Sequence, residues 1–150
     1  MTHSEHALDF FHQGYNCAQS VLAAFADDLG LTVPATLKLS SGFGAGIGRM
    51  RGVCGAFSAL AMVAGFVRGN TTPDLDDKEA IFSLIRSLAA EFEQAHGSLI
   101  CRDLLHLGND VQESARPQAR TAAYYASRPC EACIAFCAAR GEQLLNRTAY

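Results

Sequence analysis

The chain has no tryptophan and only two lysines, Lys38 and Lys78, so its basic residues are almost all arginine. No basic block runs through it, and its formal net charge is -3. Phosphate recognition calls for a clustered cationic face, so no nucleic acid is expected as a partner. Long apolar runs are also missing. The longest uncharged one, Val53 to Val67, is fifteen residues set between Arg51 and Arg68, whereas a spanning helix needs about twenty. It reads as a buried helix, and no membrane insertion is expected. At the N-terminus, "MTHSEHALDFFHQGYNC" puts His3, Glu5, His6 and Asp9 where an export signal would need a basic start and an unbroken apolar stretch. The protein is therefore read as cytoplasmic. No paired carboxylates and no Ser/His/Asp arrangement point to hydrolytic chemistry. No C-x-x-C-H occurs, which argues against covalent haem attachment.

Strict polar/apolar alternation is absent too, while apolar positions recur at helical spacing along most of the chain. The expected fold is all-α: a compact multi-helix bundle with a Gly-rich loop, one domain over residues 1–150, large enough to bury a core without cross-links. The spacing predicts a helix from Ser4 to Gln13 capped by Ser4, then one capped by Asn16 with Val21, Leu22, Phe25 and Leu29 on one face and Gly30 at its end. A short helix starts near Pro34. The apolar helix runs from Cys54 to Arg68. "TTPDLDD", Thr71 to Asp77, is a linker before a helix from Lys78 to His96, whose stripe is Ile81, Leu84, Ile85, Leu88 and Phe92. Ser98 is placed as the cap of "LICRDLLHL". Asn109 to Ala119 is polar and irregular, with a helical turn near Tyr124, and Pro129 opens the last helix.

The six cysteines, Cys17, Cys54, Cys101, Cys130, Cys133 and Cys137, carry more information on this map. In a reducing compartment they point to metal or redox chemistry rather than to cross-links. Cys17, Cys54, Cys101 and Cys130 each fall at a predicted helix start, where free amides and the positive end of the helix dipole favour a thiolate. Converging, these sulfurs suit an iron–sulfur cluster or a tetrahedral zinc ion. Pairs such as Cys17 with Cys54, or Cys101 with Cys130, would instead cycle between dithiol and disulfide. Cys133 and Cys137 continue along the face begun by Cys130 and read first as core, a share in the chemistry being the alternative for Cys133. The five histidines read as surface or satisfied residues.

"SSGFGAGIGRMRGVCGA" places Gly42, Gly44, Gly46 and Gly48 at alternate positions. That register fails G-x-G-x-x-G, and no G-K-[ST] follows, so a nucleotide cradle is disfavoured. Alternating glycines do allow positive φ and leave backbone amides unobstructed. Gly44, Gly46, Gly48 and Gly55 are the candidate cofactor-contacting glycines, lying beside Cys54 with Arg49 and Arg51 as added positive charge. Gly55, Ala56 and Ala59 keep the first turns of the Cys54 helix thin enough for a close neighbour.

Taken together, "NCAQSVLAAFADDLGL", "SSGFGAGIGRMRGVCGAFSA", "CRDLL" and "RPCEAC" resemble the redox-active protein family named for its C_GCAxxG_C_C cysteine pattern. The resemblance runs from about Cys17 to Leu145. It implies that Cys17, Cys54, Cys101 and Cys130 are the hallmark cysteines and leaves Cys133 and Cys137 outside the pattern. The C-G-A-x-x-G element is carried by Cys54, Gly55 and Ala56, with Ala59 standing where the family has its last glycine. A related domain in split-Soret-type cytochromes is associated with an iron–sulfur centre, so the resemblance implies a cluster, without haem. The expected function is electron transfer or redox sensing through that cluster, with a redox partner protein. A thiol–disulfide oxidoreductase is the alternative, and a zinc-holding or metal-free interaction protein a further one. The alanine- and glycine-rich helices also allow a homodimer.

Overall fold

Thr2 and Glu5 start the first helix by capping each other: the Thr2 hydroxyl accepts from the Glu5 amide, and the Glu5 carboxylate accepts from the Thr2 amide. The computed structural model describes residues 1–148, and in it α1 spans His3–His12. Ser4, the expected cap, instead donates to the Ala135 carbonyl 2.9 Å away and ties this helix to the last one. Asn16 caps α2, Cys17–Ala23, in a second reciprocal box with Gln19. The single helix expected as far as Gly30 breaks near Phe25 and resumes as α3, Ala26–Leu29, ending on left-handed Gly30. Thr32 caps α4, Val33–Ser40, with Pro34 in its first turn, and a 3-10 turn, Ser41–Phe43, leads into the glycine loop.

The apolar segment becomes α5, Gly55–Arg68, with Cys54 as its N-cap residue. The next helix, α6, spans Leu75–His96 and starts earlier than its apolar stripe suggests. The Asp74 carboxylate accepts from the Asp76 and Asp77 amides, turning the end of the predicted linker into a helix start. α7 is a single turn, Cys101–Leu104. Ser98 does not cap it; its hydroxyl accepts from the Ile100 amide and donates to Asp103, shaping the turn before the helix. α8, Ala122–Ser127, is capped by Thr121 and realises the expected turn near Tyr124. α9, Cys130–Thr148, then crosses back over the molecule. The protein is all-α, with nine α-helices among the described residues.

α5 is the central helix. It packs on α9, α2 and α6, while α1 covers α2 and α9. Ala56, Ala59, Leu60, Val63 and Ala64 are buried along it against Phe25, Phe92, Ile134 and Leu144. Burying a side chain such as Leu60 contributes about 1.5–3 kcal/mol, and small residues at the contact let the helix axes approach. The expected stripe of α6 is half realised: Ile81, Leu88 and Phe92 are buried, while Leu84 and Ile85 are only partly covered. No described helix is long and apolar enough to cross a membrane.

One non-helical contact positions the site. Val53 and Ile100 form an isolated antiparallel bridge. The Cys54 amide donates to the Leu99 carbonyl at 2.8 Å and the Cys101 amide to the Gly52 carbonyl at 2.7 Å. Two segments far apart in sequence are thereby clamped together one residue from each cysteine.

Candidate functional site

Cys17, Cys101 and Cys130 are the first residues of α2, α7 and α9, and Cys54 caps α5. Their helix starts converge on a cavity of about 350 Å³ lined by all four cysteines and by Cys133. Cys137, one helical turn further along α9, is fully buried in the core and does not line it. Cys133 is buried like a core residue, as first expected, and also forms cavity wall beside the other four sulfurs. The signal for it was the C-x-x-C spacing, which one helix turn converts into two neighbouring sulfurs. All six cysteines are free thiols.

Cys17 lies closest to the glycine loop. Its sulfur accepts hydrogen bonds from the Ala45 and Ala56 amides and contacts the Cys54 thiol. Hydrogen bonding to Cys54 and then burial hold the Cys17 thiol well above its ordinary range, with the two amides opposing. Cys54 sits between Cys17 and Cys133; its hydrogen bond to Cys133, helped by burial, pushes it up to about 12. Burial, with the neighbouring Cys17 and Cys101, likewise raises Cys130 to about 12. Burial raises Cys101 as well, against the pull of Arg51, whose Nη1 lies 3.5 Å from its sulfur.

These values reverse the expectation that helix starts would favour thiolates here. A helix terminus contributes about 0.3–2 kcal/mol, whereas removing a charge from water costs several times more unless it is paired. Hydrogen bonding between neighbouring thiols at Cys17 and Cys54, and burial at Cys101 and Cys130, outweigh the helix ends and favour the protonated thiol.

The loop that brings Cys54 to its place is left-handed. Ala45, Gly46, Ile47, Gly48 and Arg49 all have φ between 54° and 70°, and Arg51 follows at 59°. Non-glycine residues in this region cost roughly 1–2 kcal/mol each. Hydrogen bonds that close the loop on itself, Gly48 to Gly42, Arg51 to Ala45 and Gly52 to Gly46, hold it there. The candidate glycines divide by role. Gly44, Gly48 and Gly55 line the cavity, but Gly46 does not. A side chain on Gly46 would strike the Arg51–Gly52 backbone, so this glycine closes the loop. One on Gly44 would strike Asn16, the cap that orients Cys17.

Arg49, Arg51, Arg120 and Arg128 line the cavity, and no described Asp or Glu does. Arg51 is 5% exposed. Its guanidinium grips Glu113 through Nε at 2.5 Å and Nη2 at 3.0 Å, and Arg49 adds a third contact at 2.8 Å. Arg120 lies over the Phe11 and Tyr124 rings and donates to the Phe11 and Tyr15 carbonyls. Sequence reading left Glu113, Arg120 and Arg128 unassigned; the only trace was a basic complement made almost wholly of arginine. None of the five histidines lines the cavity. Among the described residues, no three His, Cys, Asp or Glu side chains form a group that could hold a metal ion.

The family model described as "Putative redox-active protein (C_GCAxxG_C_C)" matches residues 15–144. No curated protein and no solved structure matches the chain.

Proposed function

The chain belongs to this C_GCAxxG_C_C redox-active family, and from that membership we propose that Cys17, Cys54, Cys101 and Cys130 hold an iron–sulfur cluster used for electron transfer or redox sensing. One observation carries the reading: four helix starts bring these sulfurs to the wall of one cavity whose charged lining is entirely arginine. Four cysteine sulfurs around a cavity of about 350 Å³ leave room for more than one metal ion, which favours a polynuclear group over one tetrahedral zinc ion.

The donor set suits such a group. Cysteine thiolates are the usual ligands of iron–sulfur clusters, and the resulting centre is anionic. A cluster bound there would supply one-electron transfer. The chain's own residues do the rest. The Ala45 and Ala56 amides donate to the Cys17 sulfur, and Arg51 approaches Cys101, both of which favour the thiolate form. Phe11, Leu104 and Tyr124 add apolar surface to the cavity wall. Cysteine ligands bind such a group as thiolates, so a cluster held there would displace the thiol protons, and the cavity's arginines would offset the negative charge. An electron carrier needs a donor and an acceptor, so a redox partner protein follows from this reading.

Anaerobic purification followed by iron and sulfide assay, visible absorption and EPR of the reduced protein tests it. Stoichiometric iron and sulfide are expected, with loss of both on substitution of Cys17 or Cys101 by serine. Colourless protein that takes up no iron on anaerobic reconstitution would sink the idea. The placement of Cys54 between Cys17 and Cys133 favours dithiol–disulfide cycling as a second reading. In that case thiol counting and peptide mapping after mild oxidation would find a defined bridge in metal-free protein.

A further inference from the structure

Residues 106–121 connect α7 to α8 and supply part of the cavity wall. The segment leaves α7 through His106, which holds a left-handed φ of 57°. Ala115, Pro117, Gln118 and Arg120 form part of the cavity wall. Yet no residue of the segment is buried, so apolar packing does not hold it down. What holds it is a set of arginines: Arg102 donates to the Gly108 and Val111 carbonyls at 2.6 and 2.9 Å, Arg49 to the Ser114 carbonyl at 3.0 Å and Arg128 to Gln118, while at its far end Arg120 donates to the Phe11 and Tyr15 carbonyls and lies over the Phe11 ring. At the centre, Glu113 takes the three contacts from Arg49 and Arg51.

We propose that residues 106–121 are a strap that gates the thiol cavity and that the Glu113 carboxylate, gripped by Arg49 and Arg51, is its clasp. The physical basis is a difference in what holds each part. α2, α5 and α9 around the cavity are fixed by buried side chains, so they open only with the whole fold. The strap is fixed by polar contacts, and a segment of that kind opens locally at much lower cost. Arg51 makes the clasp report to the site, because the same guanidinium touches both Glu113 and the Cys101 sulfur. Releasing Glu113 opens the wall and frees the cation nearest that sulfur. The proposal rests on the cavity being the redox site but not on what fills it.

The test uses reduced, metal-free, full-length protein and iodoacetamide, with modification at each cysteine followed by peptide mass spectrometry. Glu113→Gln is expected to speed alkylation of Cys130 about tenfold, the effect of losing one charge-assisted contact set. Cys137, enclosed in the core, should keep its wild-type rate. Cys130 is the cleaner reporter, since Cys101 also feels the change at Arg51. High salt should accelerate Cys130 in the wild type and add little in the variant.

Unchanged Cys130 alkylation in a folded E113Q protein would overturn the proposal. Should Cys137 accelerate in step with Cys130, the variant is opening globally, and the wild type decides. There, faster labelling of Cys130 than of Cys137, further increased by salt, supports the strap; equal rates for both overturn it. Cluster content does not enter these measurements, so a negative result leaves the cluster reading standing.

Discussion

A β-carbon placed on Gly55 would lie 2.7 Å from the Cys17 sulfur and 2.8 Å from the Phe43 carbonyl. Neither neighbour is free to retreat, since Cys17 opens a capped helix and Phe43 ends the 3-10 turn. Gly55→Ala is therefore expected to cost about 1–3 kcal/mol in urea unfolding, as overpacking does in tight cores; a wild-type midpoint would refute the close approach. The glycine loop allows the opposite experiment. Ala45 already holds φ 54°, so Ala45→Gly removes a left-handed penalty of about 1–2 kcal/mol against a smaller entropic loss of about 0.4–1 kcal/mol. That variant should match or exceed wild-type stability. Ala59→Gly, in the buried middle of α5, should instead lose at least about 1 kcal/mol. Thermal unfolding of the two variants side by side separates them, and equal losses would contradict the left-handed assignment.

At the scale of elements, the helix starts were the most legible feature. Asn16 with Gln19, Pro34 and the acids before Lys78 are local signals, and each sits where a helix begins. Because Cys17, Cys101 and Cys130 are first-turn residues and Cys54 is a cap, local spacing alone put the sulfurs at helix ends. Two misreadings show the limit. Ser4 and Ser98 have the chemistry of caps, but Ser4 is drawn to the Ala135 carbonyl and Ser98 to the turn before α7. Ser4 is taken by a carbonyl of α9, whereas Ser98 binds the Ile100 amide and the Asp103 side chain rather than a free amide of α7. α7 also shrank to one turn: the bridge between Val53 and Ile100 extends the chain just ahead of it, and the left-handed backbone of His106 stops it just behind.

Across the whole molecule, His3 joins three elements. Its ring nitrogens contact Asp28 at 2.7 Å and Glu142 at 2.5 Å, and the ring stacks on Phe25 at 4.3 Å. α1 is thereby tied to α3 and α9. Burial lowers the His3 pKa, but the two carboxylates outweigh it and hold the imidazole above its ordinary 6.5. Glu142 is held below 4.5, chiefly by the same contact. The signs are opposite. The His3 contribution is fully present below 6.5 and is lost as pH rises through the elevated folded value; the Glu142 contribution is present above 4.5 and is lost as pH falls through the depressed one. Urea midpoints measured from pH 4 to 9 should show the wild type losing stability on the alkaline side of this window, and His3→Ala should flatten that limb. An identical alkaline limb in the variant would refute the linkage.

The sequence by itself determined a helical domain, a glycine loop free to turn left-handed, and cysteines at helix starts. All of these follow from caps, spacing and backbone freedom among near neighbours. Only the tertiary structure decided which sulfurs share a cavity, that Cys133 joins them while Cys137 does not, and that thiol contact at Cys54 and burial at Cys130 push these two groups up to about 12. It also decided that Arg51 is enclosed against Cys101 and Glu113. The reason is physical: desolvation and charge pairing depend on what surrounds a group in space, and here those surroundings come from segments tens of residues apart.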